Sequence, residues 1–296
     1  MKVNQLALRI GIVIMILMAL FYLIFIYVTK LKSPVFLRHC MDVEVPFSDG
    51  QTIYSGNFSL NYITDKTDQG SIISINFPEA PELLCSASES NNRSGITFYD
   101  SSSPEFGITY GRFSYRTVYI DINYTEPVNW TGEKVVHKAN IQLNNGESYT
   151  VDVGTIVFYR DQRNSDQYIE NSISQSSSDG SGEITYITSS KIKVLSIKSD
   201  LLEEAKDFSY FRVNDYDYKD FPPESYEENG IIKVTYQISG FDRSQGTYDY
   251  YELRPKLYYQ DPEGKEKYYR MVGINHRRFF GDVWDVLSYL IGRGVW

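Results

Sequence analysis

The densest run of potential oxygen ligands in this chain is Asn214-Asp215-Tyr216-Asp217-Tyr218-Lys219-Asp220. Carboxylates at alternate positions can converge on a hard cation when the backbone loops around it. Asp215, Asp217 and Asp220 are therefore weak calcium candidates. Lys219 stands where a ligand would be wanted, and neither a glycine nor a bidentate glutamate follows at EF-hand spacing. The segment reads first as a solvated acidic loop running into Phe221-Pro222-Pro223.

Other chemistry is sparse. The three histidines, His39, His137 and His276, are far apart, and the two cysteines, Cys40 and Cys85, offer no zinc spacing. Only His137 lies in a strand pattern, and no serine in a nucleophile-elbow context accompanies it. Gly180-Ser181-Gly182 lacks the lysine that a phosphate-binding loop requires. No catalytic residue, cofactor site or metal site is assigned. Carboxylates are abundant enough to supply a glycosidase pair, which leaves a hydrolase as an alternative without a specific signal. Cys40 and Cys85 could close a loop of about 46 residues, worth about 4 kcal/mol in an oxidising compartment; two buried thiols are the equal alternative. Asn57, Asn92, Asn123 and Asn129 head Asn-X-Ser/Thr sequons, which matter only in a eukaryotic secretory pathway.

The 26 tyrosines supply contact area with a polar tip, suited to protein or sugar surfaces. Pairs such as Tyr258-Tyr259 and Tyr268-Tyr269 place one ring on each face of a strand, where cross-strand packing within the sheet is the simpler role. A formal net charge of −9, with basic residues scattered among acidic ones, opposes nucleic-acid binding.

These residues hang on a chain with an unmistakable address. Ile10 to Val28 is uncharged and almost wholly apolar, and as a helix it spans about 28 Å, close to a bilayer's hydrocarbon thickness. It is longer than a signal-peptide core and lacks a small-residue cleavage site, so it reads as an uncleaved anchor in contact with lipid. Lys2 and Arg9 before it nearly balance Lys30, Lys32 and Arg38 after it. A short N-terminal tail usually stays in the cytoplasm, which places the remaining region of about 265 residues outside.

That region alternates with period two, the signature of antiparallel strands. Val118, Ile120, Ile122 and Tyr124 share one parity, as do Ile232, Val234, Tyr236 and Ile238. Asn145-Gly146 predicts a hairpin with a type I′ turn, Asp261-Pro262-Glu263-Gly264 a type I turn, and Asp49-Gly50 a further turn. Asp200 and Glu203 at capping-box spacing predict a short helix over 200–206. The serine- and glycine-rich stretch 164–183 holds few apolar side chains and predicts a flexible connector.

The expected class is mainly β: a transmembrane anchor over 1–32, one or two antiparallel β-sandwich-like domains (33–163 and 184–278, joined by 164–183), and an amphipathic C-terminal helix over 279–296. In that helix Phe280, Trp284, Leu287 and Ile291 share an apolar face that could meet a membrane or a partner. Asp282 and Asp285 on the polar face favour packing against the protein's own sheet. The expected role is a single-pass, extracytoplasmic binding, assembly or sensing protein, with other membrane or surface proteins as partners. A carboxylate-based, membrane-tethered hydrolase acting on glycans and a structural envelope component without a discrete ligand are the alternatives.

Overall fold

The computed structural model describes residues 5–45, 47–48, 53–54, 56–89, 107–123, 132–160, 168–177, 180–205, 208–238, 248–277 and 279–296. The mainly β class is as expected, with an apolar N-terminal helix and a short C-terminal one. Helix α1 (Gln5–Val28) carries Leu8–Val28, a stretch long and apolar enough to cross a membrane, with its side chains turned outward. Helices α2 (Asp200–Glu204) and α3 (Val283–Gly292) are short.

Alternation sorts the strands into stacked sheets. Sheet 1 runs in the order Val35–Phe36, Gly56–Asp65, Phe113–Ile122, Cys85–Ser88, with Ile108–Tyr110 also paired to Phe113–Ile122. Sheet 2 runs Ile274–His276, Tyr250–Leu253, His39–Glu44, Ser148–Tyr159, Glu133–Leu143, Ile72–Asn76. Leu60, Val118 and Ile120 of sheet 1 interlock with Met41, Ile141 and Phe158 of sheet 2 in one core. Phe77 and Phe158 meet edge to face at 5.1 Å there, an arrangement worth about 0.5–1.5 kcal/mol beyond its buried area.

Sheet 3 runs Ile169–Ser176, Ser181–Thr188, Ile231–Ile238, Phe208–Val213, Tyr216–Asp217, and sheet 4 runs Glu224–Tyr226, Ile192–Lys198, Lys256–Gln260, Glu266–Arg270. Ile184, Val234 and Phe211 pack on Val194, Leu257 and Tyr259. This second core extends onto the outer face of sheet 2 through Cys40, Val157, Leu253 and Ile274. Tyr250–Leu253 and Ile274–His276, although late in the chain, lie in sheet 2 with strands from the first half. His39–Glu44 is thus paired in parallel on both sides and covered on both faces, the burial expected of a parallel strand.

Several local expectations change. Within the serine-rich stretch, Ile169–Ser176 is a strand paired to Ser181–Thr188. Backbone pairing needs no apolar side chains; only Ile169 of that edge strand is buried. The Asn145-Gly146 hairpin forms, but Gly146 alone there has positive φ (+89°), and Gly146 N–H donates to the Leu143 carbonyl. The turn is therefore type I closed by a glycine bulge rather than type I′. At the Asp261 turn, Gly264 N–H donates to the Asp261 carbonyl at 2.9 Å, and the Asp261 carboxylate accepts from Glu263 and Lys265 N–H, as its residues predict. Ser199, not Asp200, caps α2, accepting from Leu202 N–H at 3.1 Å. Tyr124 and the Asp49-Gly50 turn lie outside the described residues.

Gly154 is structurally obligatory. At Gly154 the strand Ser148–Tyr159 switches parity, so Val151 and Val153 face the core before it and Ile156 and Phe158 after it. Its φ is +89°, and an added Cβ would lie 2.2 Å from the His39 carbonyl oxygen. Only glycine meets both demands.

Candidate functional site

The molecule's most elaborately bonded corner is where α1 ends. A helix C-terminus leaves carbonyls unpaired and carries partial negative charge. Here Arg112, delivered by the tight turn before Phe113–Ile122, donates from Nη1 to the Ile26 carbonyl at 2.6 Å and to Thr29 Oγ1 at 2.9 Å. Its Nη2 pairs with Asp65 Oδ1 at 2.8 Å. Asp65, at the end of Gly56–Asp65, accepts the Leu31 N–H on its other oxygen at 2.9 Å. One partly buried ion pair therefore grips the chain on both sides of the helix end.

A third core lies behind that grip. Leu31, Leu37, Ile63 and Phe113 pack with Val286, Leu287 and Leu290 of α3, and Phe25 of α1 touches the same cluster. Phe280 is its hub, stacked on Tyr248 at 4.3 Å and edge-on to Tyr110, Tyr115 and Tyr289. Asp282 caps α3, its carboxylate accepting from Trp284 and Asp285 N–H. Tyr289 Oη accepts the Arg38 N–H at 2.8 Å, tying α3 to the strap that leaves the anchor. Burial pushes the Tyr115 hydroxyl up to about 12 while Arg277, bonded to it at 3.1 Å, opposes the shift.

The expected apolar face of α3 is therefore divided. Phe280 (4% exposed) and Leu287 (8%) are core residues, whereas Trp284 (69%) and Ile291 (64%) face out. Between the anchor end and the 145–149 hairpin opens a cleft of about 1210 Å³, lined by Tyr27, Lys30, Asp65, Asp68, Glu147 and Trp296 among others. Its carboxylates already have structural duties. Asp65 holds Arg112, Asp68 accepts from Thr64 and Gly70, and Glu147 accepts from Asn145 and Tyr149.

A second polar knot joins the two halves. Asp42 accepts the Arg254 N–H at 2.7 Å and faces Arg270 at 3.8 Å. Arg270 also pairs with Glu133 at 2.6 Å and lies 3.6 Å over the Tyr159 ring. Burial pushes Asp42 up to about 6, more than its donors pull it down. A small cavity of about 190 Å³ borders Asp42, Glu44, Asn57, Glu252 and Arg254.

The remaining candidates stay apart or inert. Tyr216–Asp217 pairs with Arg212 and Val213 in a hairpin, and Asp217 accepts from Lys219 N–H. Asp215, Asp217 and Asp220 form no cation cage; among the described residues no group of three acidic, histidine or cysteine side chains could hold a metal. Cys40 and Cys85 are not joined. Cys40 packs in the core beyond sheet 2 and Cys85 against the core between sheets 1 and 2, so sheet 2 stands between the thiols. Burial pushes the Cys85 thiol up to about 12. His39 is wholly buried and structural: its Nε2 accepts the Asn61 N–H at 3.0 Å, leaving Nδ1–H to donate to the Val153 carbonyl at 3.1 Å. His137 sits at a strand bulge against the Gly154 carbonyl. Tyr258 and Tyr268 pair across strands at 5.9 Å on the outer face, while Tyr259 is buried and Tyr269 packs on Tyr186. Sequence reasoning missed Arg112 and Asp65, because no spacing announces a contact between residues so distant in the chain.

No protein-family model matches the chain, and no curated protein matches it. Among solved structures, it is similar to a protein of unknown function from Porphyromonas gingivalis W83, at 8% identity over 79% of this chain and 96% of that one. The TM-score of 0.22 is too low to carry an argument about fold or role.

Proposed function

We propose that this chain is a single-pass membrane protein, anchored in the bilayer through Ile10 to Val28. Its β-rich region stands outside the cytoplasm and binds other membrane or surface proteins in an assembly or sensing role, without catalysis. The observation that carries this reading is the Arg112–Asp65 grip on the end of α1. A loosely tethered domain needs no such contact. A region gripped at the anchor exit presents its faces at a fixed height and angle, which suits recognition of neighbours in the same membrane. The engagement of the cleft carboxylates in structural bonds supports a binding role over a hydrolytic one, and the net charge of −9 opposes nucleic acid as a partner.

The test is external protease on intact cells expressing the full chain, together with photo-crosslinkers at the exposed Ile231 and Tyr268. Removal of the β-rich region and capture of membrane proteins are expected. A protected region would overturn the topology, and crosslinking to nucleic acid or to nothing would overturn the partner class.

A further inference from the structure

Helix α3 has filled its inner face with Val286, Leu287 and Leu290, yet two turns of its outer face carry Trp284 and Ile291 in the open. The acidic residues that weigh against a lipid contact are turned away from it. Asp282 accepts from the N–H groups of Trp284 and Asp285, and Asp285 accepts the Gly281 N–H at 2.7 Å. Both carboxylates thus serve the helix N-terminus, where negative charge is favourable.

The position of α3 is equally specific. At its start, Val283 lies against Gly111, where an added Cβ would be 3.1 Å from Val283 Cγ2. The next residue, Arg112, holds the Ile26 carbonyl. Past its end, Val295 and Trp296 line the same cleft as Tyr27 and Val28, with the Trp296 ring 6.4 Å from Phe113. The start of α3 is thus one residue removed from the Arg112 contact to α1, and its end shares a cleft with the last turn of α1. Tyr27 in that turn is 83% exposed, and Lys30 and Lys32 beside it are exposed too. Amphipathic aromatic rings partition to the headgroup level, and lysines there reach lipid phosphates.

We propose that Trp284, Ile291 and Trp296 seat α3 in the headgroup and acyl boundary of the bilayer that α1 crosses, giving the protein a second attachment beside its anchor. The occupant is lipid because the exposed Trp284 and Ile291 belong to the segment whose last residues, Val295 and Trp296, share a cleft with Tyr27, Val28 and Lys30 at the anchor's exit. The inference rests on the anchoring reading. An interfacial helix buries its apolar side about 5–10 Å into the boundary region, with no need to leave the protein.

The test uses the full chain in nanodiscs of phosphatidylcholine and phosphatidylglycerol, with or without bromine near the top of the acyl chains. Trp130→Phe with Trp296→Phe leaves Trp284 as the reporter. A second chain with all three tryptophans changed to phenylalanine and Phe21→Trp reports on the anchor. Quenching of both reporters by brominated lipid, with Trp284 emission falling by about half, is expected for a ring at that depth. Quenching of the Phe21→Trp reporter alone would overturn the second attachment and leave the anchoring intact. Quenching of neither would overturn both.

Discussion

His39 and Asp42, three residues apart in the most buried strand, should titrate against each other and hide one another's effect on stability. Burial pushes His39 down to about 4 from 6.5, despite its hydrogen bond to the Val153 carbonyl. The unfolded chain therefore gains a proton that the folded one refuses. This contribution is intact above pH 6.5 and is lost as pH falls towards 4, with about 2 kcal/mol of it lost between pH 7 and pH 5. Asp42 has the opposite sign. Its folded value of about 6 lies above 3.8, so it destabilises the fold at neutral pH, and the penalty lifts as pH falls through 6. That recovers about 1 kcal/mol between pH 7 and pH 5.

The two contributions have opposite signs over that interval, so in the wild-type chain they offset one another. Asp42→Asn removes the recovery, so the variant should lose about 1 kcal/mol more than wild type between pH 7 and pH 5. His39→Gln keeps a donor and an acceptor near Val153 and Asn61 but cannot take a proton. Relative to wild type it should improve by about 2 kcal/mol over the same interval, whatever its absolute stability. Urea unfolding of the full chain in detergent micelles, followed by tryptophan emission at both pH values, measures each difference. If Asp42→Asn and wild type change in parallel, Asp42 does not titrate between them and the assigned burial effect is wrong.

Arg112→Met should leave the Ile26 carbonyl without its Arg112 donor and the Asp65 carboxylate with the Leu31 N–H but no cation, and cost about 2–3 kcal/mol. Spin labels at Tyr27 and Ser288 should then show a broadened distance distribution; an unchanged one would mean the grip does not hold the anchor. Gly154→Ala should cost about 2–4 kcal/mol in urea unfolding, since it combines positive φ with a clash against the His39 backbone. Leu287→Ala should cost about 2–4 kcal/mol, whereas Ile291→Ala should stay within about 0.5 kcal/mol of wild type, because only the first residue lies in the core. Native alkylation by iodoacetamide at pH 8 should leave Cys85 largely unmodified, and mass spectrometry of the unfolded chain should find both cysteines as thiols; a Cys40–Cys85 bridge in that spectrum would contradict the packing of the two residues on different cores.

Local chemistry was the legible part. Ile232, Val234, Tyr236 and Ile238 announce a strand with one buried face, and all four are buried. The Asp261 turn follows from its own four residues, which carry its hydrogen bonds. Two of the failures turn on how strands meet. Ile169–Ser176 looks too polar to order itself, and it is ordered by the backbone of Ser181–Thr188. The Asn145-Gly146 turn took a bulge because the two strands meet in a register that the dipeptide does not set. Asp282 and Asp285 looked like charges facing solvent, but they are caps.

The sequence by itself determined the apolar helix near the start, the mainly β class and the amphipathic character of the C-terminal helix, because hydropathy and its period are written residue by residue. The tertiary structure alone decided that late strands complete an early sheet, that sheet 2 separates the two cysteines, and that Arg112 and Asp65 hold the end of α1. Each of these is a meeting of residues far apart in the chain, and no local period or spacing encodes which distant partner will satisfy a buried charge or an open carbonyl.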